Sequence, residues 1–400
     1  MSTTSTEPDS LPRYPRERAD FVDPQPSLLT GPPVSPLRFA GGSTGWLVTG
    51  YREAREVLQH PALSAERWRG DDTIRVISPE LRKKSVDRPG AFLTMDAPKH
   101  TRYRSQLTRY FTVRRIRALE PRVDEIVAQC LDALEEAGQP ADLVHHYALP
   151  IPSLVICEML GVPYAERATF QQASADLLRQ DVDPGVLEKA VETLDAFMTS
   201  LVEARRSHPQ DDLISTLATS TDLSDEEIVG VSRLLLVAGH ETTTNMLSLG
   251  TFTLLQQPEQ MRRLREDDSL VPGAVEELLR YLSIVNAFPV RIALEDVTIG
   301  EVTVRAGESV AVSVPAANRD PALVEDPQTL DVGRGRSSHL AFGYGIHQCL
   351  GQHLARIELA AGYRGLLRRF PHLRLAVAPE EVPMRSDMVI YGAHELPVAW

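Results

Sequence analysis

Apolar residues recur at helical spacing through most of this chain, and the interruptions between repeats set out its elements. Trp46-Leu47-Val48-Thr49 predicts a short strand, and 51–59 a helix ending near Pro61. Helical repeats return over 123–136, 151–160, 165–179 and 186–206, with the breaker Asp181-Val182-Asp183-Pro184-Gly185 between the last two. Ser224 and Glu227 form a capping box that opens the longest repeat, which runs to about Gln256 before Pro258. At 1.5 Å per residue it extends about 50 Å, enough to cross a whole domain. A further helix over 275–282 leaves through Pro289 into an extended run that reaches Arg291, and alternating stretches at 297–313 and 373–399 predict short strands. The pattern is that of a mainly α fold with a small β region. Residues 1–42, rich in Pro, Gly and Ser, predict an irregular surface segment, and 43–400 a single domain. Between 64 and 92 periodicity is poor, and a long irregular loop inside a compact domain is usually functional or mobile.

Composition narrows the function classes. A net charge of −13 argues against broad nucleic-acid binding. Three cysteines, Cys130, Cys157 and Cys349, are too few for a disulfide framework and fit a reducing cytoplasm. The first twenty residues are polar and broken by Pro8, Pro12 and Pro15, so they lack the apolar core of a signal peptide. No apolar run reaches the roughly 18 residues that a membrane span requires. Cys130 and Cys157 fall on helical core patterns, which leaves Cys349 as the chemical candidate.

Cys349 follows the glycine-loosened stretch His339-Leu340-Ala341-Phe342-Gly343-Tyr344-Gly345-Ile346-His347-Gln348 and is expected in the first turn of a helix. Backbone N–H groups and the helix dipole there lower a thiol's pKa, preparing it as a ligand or a nucleophile. Zinc and iron–sulfur sites need several ligands at short spacing, and no second cysteine lies in the loop. A nucleophile needs an oriented base, and His347 has no evident orienter. Gly343, Gly345 and Gly351 let backbone approach a large flat object, Phe342 offers a ring to it, and His347 a hydrogen bond for a carboxylate edge. That set suits a haem held by one thiolate; a buried structural thiol is the alternative.

The middle of the longest helix is the second unusual stretch. Leu234-Leu235-Leu236-Val237-Ala238 gives way to Gly239-His240-Glu241-Thr242-Thr243-Thr244. Threonine hydroxyls that bond a carbonyl one turn back bend a helix, which explains Thr242 but not the glycine and acid beside it. Earlier, His100 and Arg104 share one face of a helix opening near Pro98. They belong to a stretch with Lys99, Arg102, Arg109, Arg114, Arg115 and Arg117 that holds no acid between Asp96 and Glu120. On an acidic chain this is a local positive patch, either a solvated face or a docking surface for an acidic partner.

Phe342, Gly345, Cys349 and Gly351 stand in the spacing Phe-x-x-Gly-x-x-x-Cys-x-Gly, which resembles the haem-binding signature of the cytochrome P450 monooxygenases. Ala238, Gly239, Glu241, Thr242 and Thr243 resemble that family's oxygen-activation motif, and Glu277 with Arg280 its Glu-x-x-Arg pair, all in the family's order. The resemblance implies the P450 fold, with haem b between the long central helix and the Cys-bearing helix. It makes Cys349 the axial iron ligand and gives His100, Arg104, Arg291 and His347 to the propionates. It places Phe342, Gly343 and Gly351 beside the ring, has Gly239 leave room for dioxygen, and assigns a proton relay to Thr242 and Glu241. Val237, Ala238, Val285, Ala287, Phe288, Val290 and Ile390 would line a substrate pocket under a lid formed around 165–206. Thr329 stands where the family often carries an arginine, which puts the third member of the Glu277–Arg280 network in doubt.

The stretch 269–282 is similar to the actinomycete branch that oxidises macrolides, polyenes, vitamin D-like secosteroids and xenobiotics. The implied activity is hydroxylation of a hydrophobic secondary metabolite using O2 and electrons from NAD(P)H through a ferredoxin reductase and a ferredoxin, by a cytoplasmic monomer. A non-catalytic haem-thiolate sensor, or a P450 performing C–O or C–C coupling or epoxidation, are the alternatives.

Overall fold

The computed structural model describes residues 11–14, 17–70, 88–180, 182–287 and 289–400. Helices form the body and lie beside a six-stranded sheet ordered Arg13–Tyr14, Val34–Phe39, Thr44–Val48, Ser309–Val312, Val290–Ala293 and Leu63–Ser64. Two small sheets complete the β region, one joining Ala141–Asp142 to the C-terminal strands, the other the hairpin Val297–Ile299 with Val302–Val304. The segment to residue 42 is therefore less irregular than its composition suggests. Val34–Phe39 pairs antiparallel with Thr44–Val48 and buries Val34, Leu37 and Phe39. Pro36 masks the strand in the sequence. Among the described residues only Arg38 and Phe39 pair on the far side, so there the missing N–H of Pro36 leaves no ladder bond unmade.

Asp225–Leu255 is the axis of the helical body. Its capping box is present: Glu227 N donates to Ser224 Oγ, and Ser224 N donates to the Glu227 carboxylate at 2.8 Å. The same carboxylate accepts from Arg102 and, at 2.8 Å, from Tyr103 Oη, which fastens the Lys99–Thr108 helix to this end. Arg167–Leu178 and Pro184–Ser207 pack on each other and on the long helix; Asp181, in the breaker between them, lies outside the described residues. Among the described residues no helix is long and apolar enough to cross a membrane.

The helix Gln352–Arg369 crosses the long helix where both carry glycine. A Cβ on Gly362 would meet Leu247 at 2.7 Å, and one on Gly250 would meet the Tyr363 hydroxyl at 2.0 Å. Beside this crossing, Val271–Leu282 carries the fully buried Glu277–Arg280 pair. The third member is Arg334, whose Nε donates to Glu277 Oε1 at 3.0 Å. Thr329 contributes its carbonyl, which accepts from both Arg280 and Arg334. Backbone and a guanidinium five residues downstream thus do what an arginine at 329 would have done.

Candidate active site

The cysteine loop is closed by its own backbone. Cys349 N donates to Phe342 O at 2.8 Å, and Gly343 and Gly345 take φ of 71° and 74°, the left-handed region open to glycine. At Gly345 the close approach is to protein: a Cβ would lie 2.9 Å from the Leu58 carbonyl of the Tyr51–Gln59 helix. Gly351 has open space, as Gly343 nearly does. The helix begins at Gln352, so Cys349 precedes the first turn rather than occupying it. The thiol also departs from expectation. Cys349 is half-buried as a residue, yet the protein atoms packed round its sulfur make burial the largest influence and push its pKa up. The N–H groups of Gly351 and Gln352 and the charges of Arg104 and Arg356 pull it down. Arg356 also lies 4.5 Å from the Phe342 ring centroid and is held by Glu276, which His339 contacts as well.

The four predicted propionate ligands gather in one cluster, with the charge of Asp96 reaching His100 and Arg291. The His100 and His347 rings are 4.3 Å apart, and both His100 nitrogens and His347 Nε2 are buried without a partner. Arg104 donates to Gln348 O at 2.6 Å and Arg291 to Val290 O at 3.0 Å; among the described residues neither pairs with a carboxylate. Burial lowers His347 to about 3, helped by Arg291, His100 and Arg104. Burial lowers Arg291 to about 10, partly offset by Asp96. Buried ring nitrogens without a partner, beside two arginines without a carboxylate, are costly alone and suit a group with anionic edges. The residues present therefore fit a haem bearing two carboxylates.

The long helix carries the second set of candidate residues. From Ile228 to Leu254 every residue is buried except Leu234, Val237, Ala238, Gly239 and Thr242. Positions 234, 238 and 242 repeat every four residues, so these define one accessible stripe on an otherwise enclosed helix. Thr242 Oγ1 donates to Ala238 O at 2.9 Å, the back-bond anticipated for a bend. Glu241 does not share the stripe: it is 4% exposed, and its Oε2 accepts from Arg385 at 3.0 Å. Gly239 has a packing role, because a Cβ there would lie 2.7 Å from Ile156.

Of the predicted pocket residues, Val285 is half-buried and forms an antiparallel bridge with Ile390. Ala287, Val290 and Ile390 are sealed in the main core at 0%, 1% and 6% exposure. Phe288 lies outside the described residues.

Two residues escaped the sequence reading. Arg385 comes from the C-terminal segment, where nothing in the spacing ties it to Glu241. Glu358 was more legible, as an acid at i+4 from Leu354 on the buried face of the Cys-bearing helix. It is hydrogen-bonded to Thr243, the neighbour of Thr242, and burial pushes its pKa up to about 8 with Thr243 opposing. Because the folded chain binds this proton more tightly than the unfolded chain, stability falls as pH rises from about 4.5 to about 8. Glu358→Gln is expected to flatten that slope and to be the more stable protein above about pH 8, by an amount on the order of a few kcal/mol. Thermal melts of both proteins across that range check this, and parallel slopes would refute it.

The comparisons with known proteins agree with the geometry. A family model described as Cytochrome P450 matches residues 46–391. Cytochrome P450-SU2 of Streptomyces griseolus is 44% identical over 399 residues, covering 98% of each chain. Vitamin D3 dihydroxylase of the same organism is 41% identical over 410 residues, covering both chains fully. The crystal structure of CYP105P1 in complex with filipin I superposes with a TM-score of 0.90 at 42% identity, covering 98% of this chain and 99% of that one.

Proposed function

The chain belongs to the cytochrome P450 family of haem-thiolate monooxygenases, and from that premise we propose that it hydroxylates a hydrophobic secondary metabolite of macrolide, polyene, peptide-antibiotic or steroid-like size, with electrons from a ferredoxin. Family membership sets aside the sensor reading. What supports the proposal is the buried ring nitrogens of His100 and His347 without a partner beside Arg104, Arg291 and Cys349, together with one accessible stripe on the long helix that ends at Thr242.

Haem b, when bound, supplies dioxygen activation and C–H oxidation. The chain's own part is to hold, orient and protonate. Cys349 Sγ would hold the iron, from a loop pinned by Phe342 O. Arg104, Arg291, His100 and His347 would hold the propionates. Leu234, Val237, Ala238 and Val285 give an apolar wall to hold substrate and exclude water. Thr242 Oγ1 passes protons once it turns from Ala238 O, and Glu241 can recharge it only when its Oε2 leaves Arg385.

Relatives support the substrate class: one is named for vitamin D3 and another was crystallised with filipin I. Arg109, Arg114, Arg115 and Arg117 are exposed, and Val113–Arg117 packs on the Cys-bearing helix, which puts a positive surface on the thiolate side for an acidic ferredoxin. All three cysteines are free, which suits the cytoplasm.

Reconstitution with NADPH, ferredoxin, ferredoxin reductase and a panel of such metabolites tests the reading. Product is expected, with a reduction rate that falls as salt rises. Thr242→Ala should keep its haem yet divert most electrons to peroxide; tight coupling in that variant would remove the threonine from the relay.

A further inference from the structure

One side chain of the N-terminal arm grips the pocket wall from behind. Arg18 donates from Nη2 to Ser283 O at 2.9 Å, from Nε to Asn286 Oδ1 at 3.2 Å and from Nη1 to Val22 O at 2.9 Å. Its guanidinium sits 5.0 Å from the Tyr391 ring centroid. Ser283 has φ of 42°, a left-handed conformation unfavourable for any residue with a side chain. That turn redirects the chain from Val271–Leu282 into the segment bearing Val285. Three links then join the segment to the C-terminal one: the Val285–Ile390 bridge, Asn286 N donating to Val389 O at 3.0 Å, and Tyr391 N donating to Ile284 O at 2.8 Å.

Arg18 therefore touches both segments and the strained turn between helix and wall. Only a planar fork of donors reaches a carbonyl, an amide oxygen and a ring face together, which a lysine does not. The arm has separate anchors, Phe21 edge-on to Phe252 at 5.5 Å and Asp23 accepting from Arg319 at 2.9 Å. Arg18 is not needed merely to tack it down.

We propose that Arg18 is a specificity-determining positioning residue: through Ser283, Asn286 and Tyr391 it fixes the wall that Val285, bridged from the core side by Ile390, presents to a substrate. The inference rests on the haem-site reading above, and its test separates the two. The probes are imidazole, which ligates iron without reaching the wall, and clotrimazole, which ligates iron with three aryl rings attached. Soret shifts of the full-length holoenzyme give both dissociation constants.

Arg18→Gln and Arg18→Lys are expected to weaken clotrimazole about tenfold, the scale of lost hydrogen bonds to a charged group, while imidazole moves by less than about twofold. Asn286→Leu should act in the same direction with the arm intact, so the inference stays falsifiable even where Arg18→Gln does not fold. Phe21→Ala should lower the melting temperature and leave the ratio of the two constants unchanged. An unchanged ratio in the Arg18 and Asn286 variants, or an equal change in Phe21→Ala, would overturn the proposal. Absence of any imidazole shift in the unaltered protein would instead sink the haem reading, and this inference with it.

Discussion

Cys349→Ala is expected to abolish both the red-shifted ferrous–CO absorption and all product formation while leaving the fold in place. The separation follows from how the residue is built in. Its backbone N–H closes the loop on Phe342 O, and alanine keeps that bond. The substitution removes one sulfur from a half-buried position, so its stability cost should be about 1 kcal/mol. Neither remaining cysteine can replace it. Cys130 and Cys157 are 4% and 1% exposed in the core, and burial pushes each thiol up to about 12. A CO difference spectrum at matched protein concentration, read beside a thermal melt, checks both halves. A persisting red-shifted band would mean that the ligand is wrongly assigned; a collapsed melt would mean that the thiol is structural.

The sequence and the structure agree best where chemistry and local pattern coincide. The long helix was legible from its cap to its last turn because a capping box and an apolar repeat are local signals, and Asp225–Leu255 lies within a residue or two of the expected limits. Cys349, His100, Arg104, Arg291 and His347 were legible through motif spacing; the structure brings the last four together, the two histidine rings with buried nitrogens that lack a partner and the two arginines bonded only to backbone carbonyls among the described residues.

What escaped depends on long-range register. Glu241 and Thr242 are neighbours in sequence, but a helix turns about 100° per residue, so they face different partners, Arg385 and the accessible stripe. Gly239 and Gly345 carried the right residue type for reasons the sequence does not state: each makes room for another part of the protein, Ile156 and Leu58. The thiol's direction was misjudged because a dipole argument sees the helix and not the atoms packed round the sulfur.

The second large effect is expected at Arg280, which is 0% exposed. Its Nε and Nη2 donate to Glu277 at 2.7 and 2.8 Å, Nη1 to Asn318 O and Pro327 O, and Nη2 to Thr329 O. Arg280→Met leaves a buried carboxylate short of its main counter-charge, and breaking such a pair costs about 3–5 kcal/mol. That is a large share of the roughly 5–15 kcal/mol that hold a domain folded. Little haem-loaded protein should therefore survive purification, and denaturant midpoints of what remains should fall sharply. Arg334→Ala should cost less, because that side chain is 16% exposed and water can replace it. A double replacement, Glu277→Leu with Arg280→Met, separates two accounts of the pair. Were the ion pair the whole of Arg280's contribution, removing both charges would restore much of the loss. The carbonyls of Asn318 and Pro327 are buried on the same guanidinium, however, and no apolar side chain can donate to them. The double variant should therefore stay close to Arg280→Met in stability. Recovery to near the parent value would show that Arg280 serves Glu277 alone, and that the chain between Asn318 and the cysteine loop is held by other bonds.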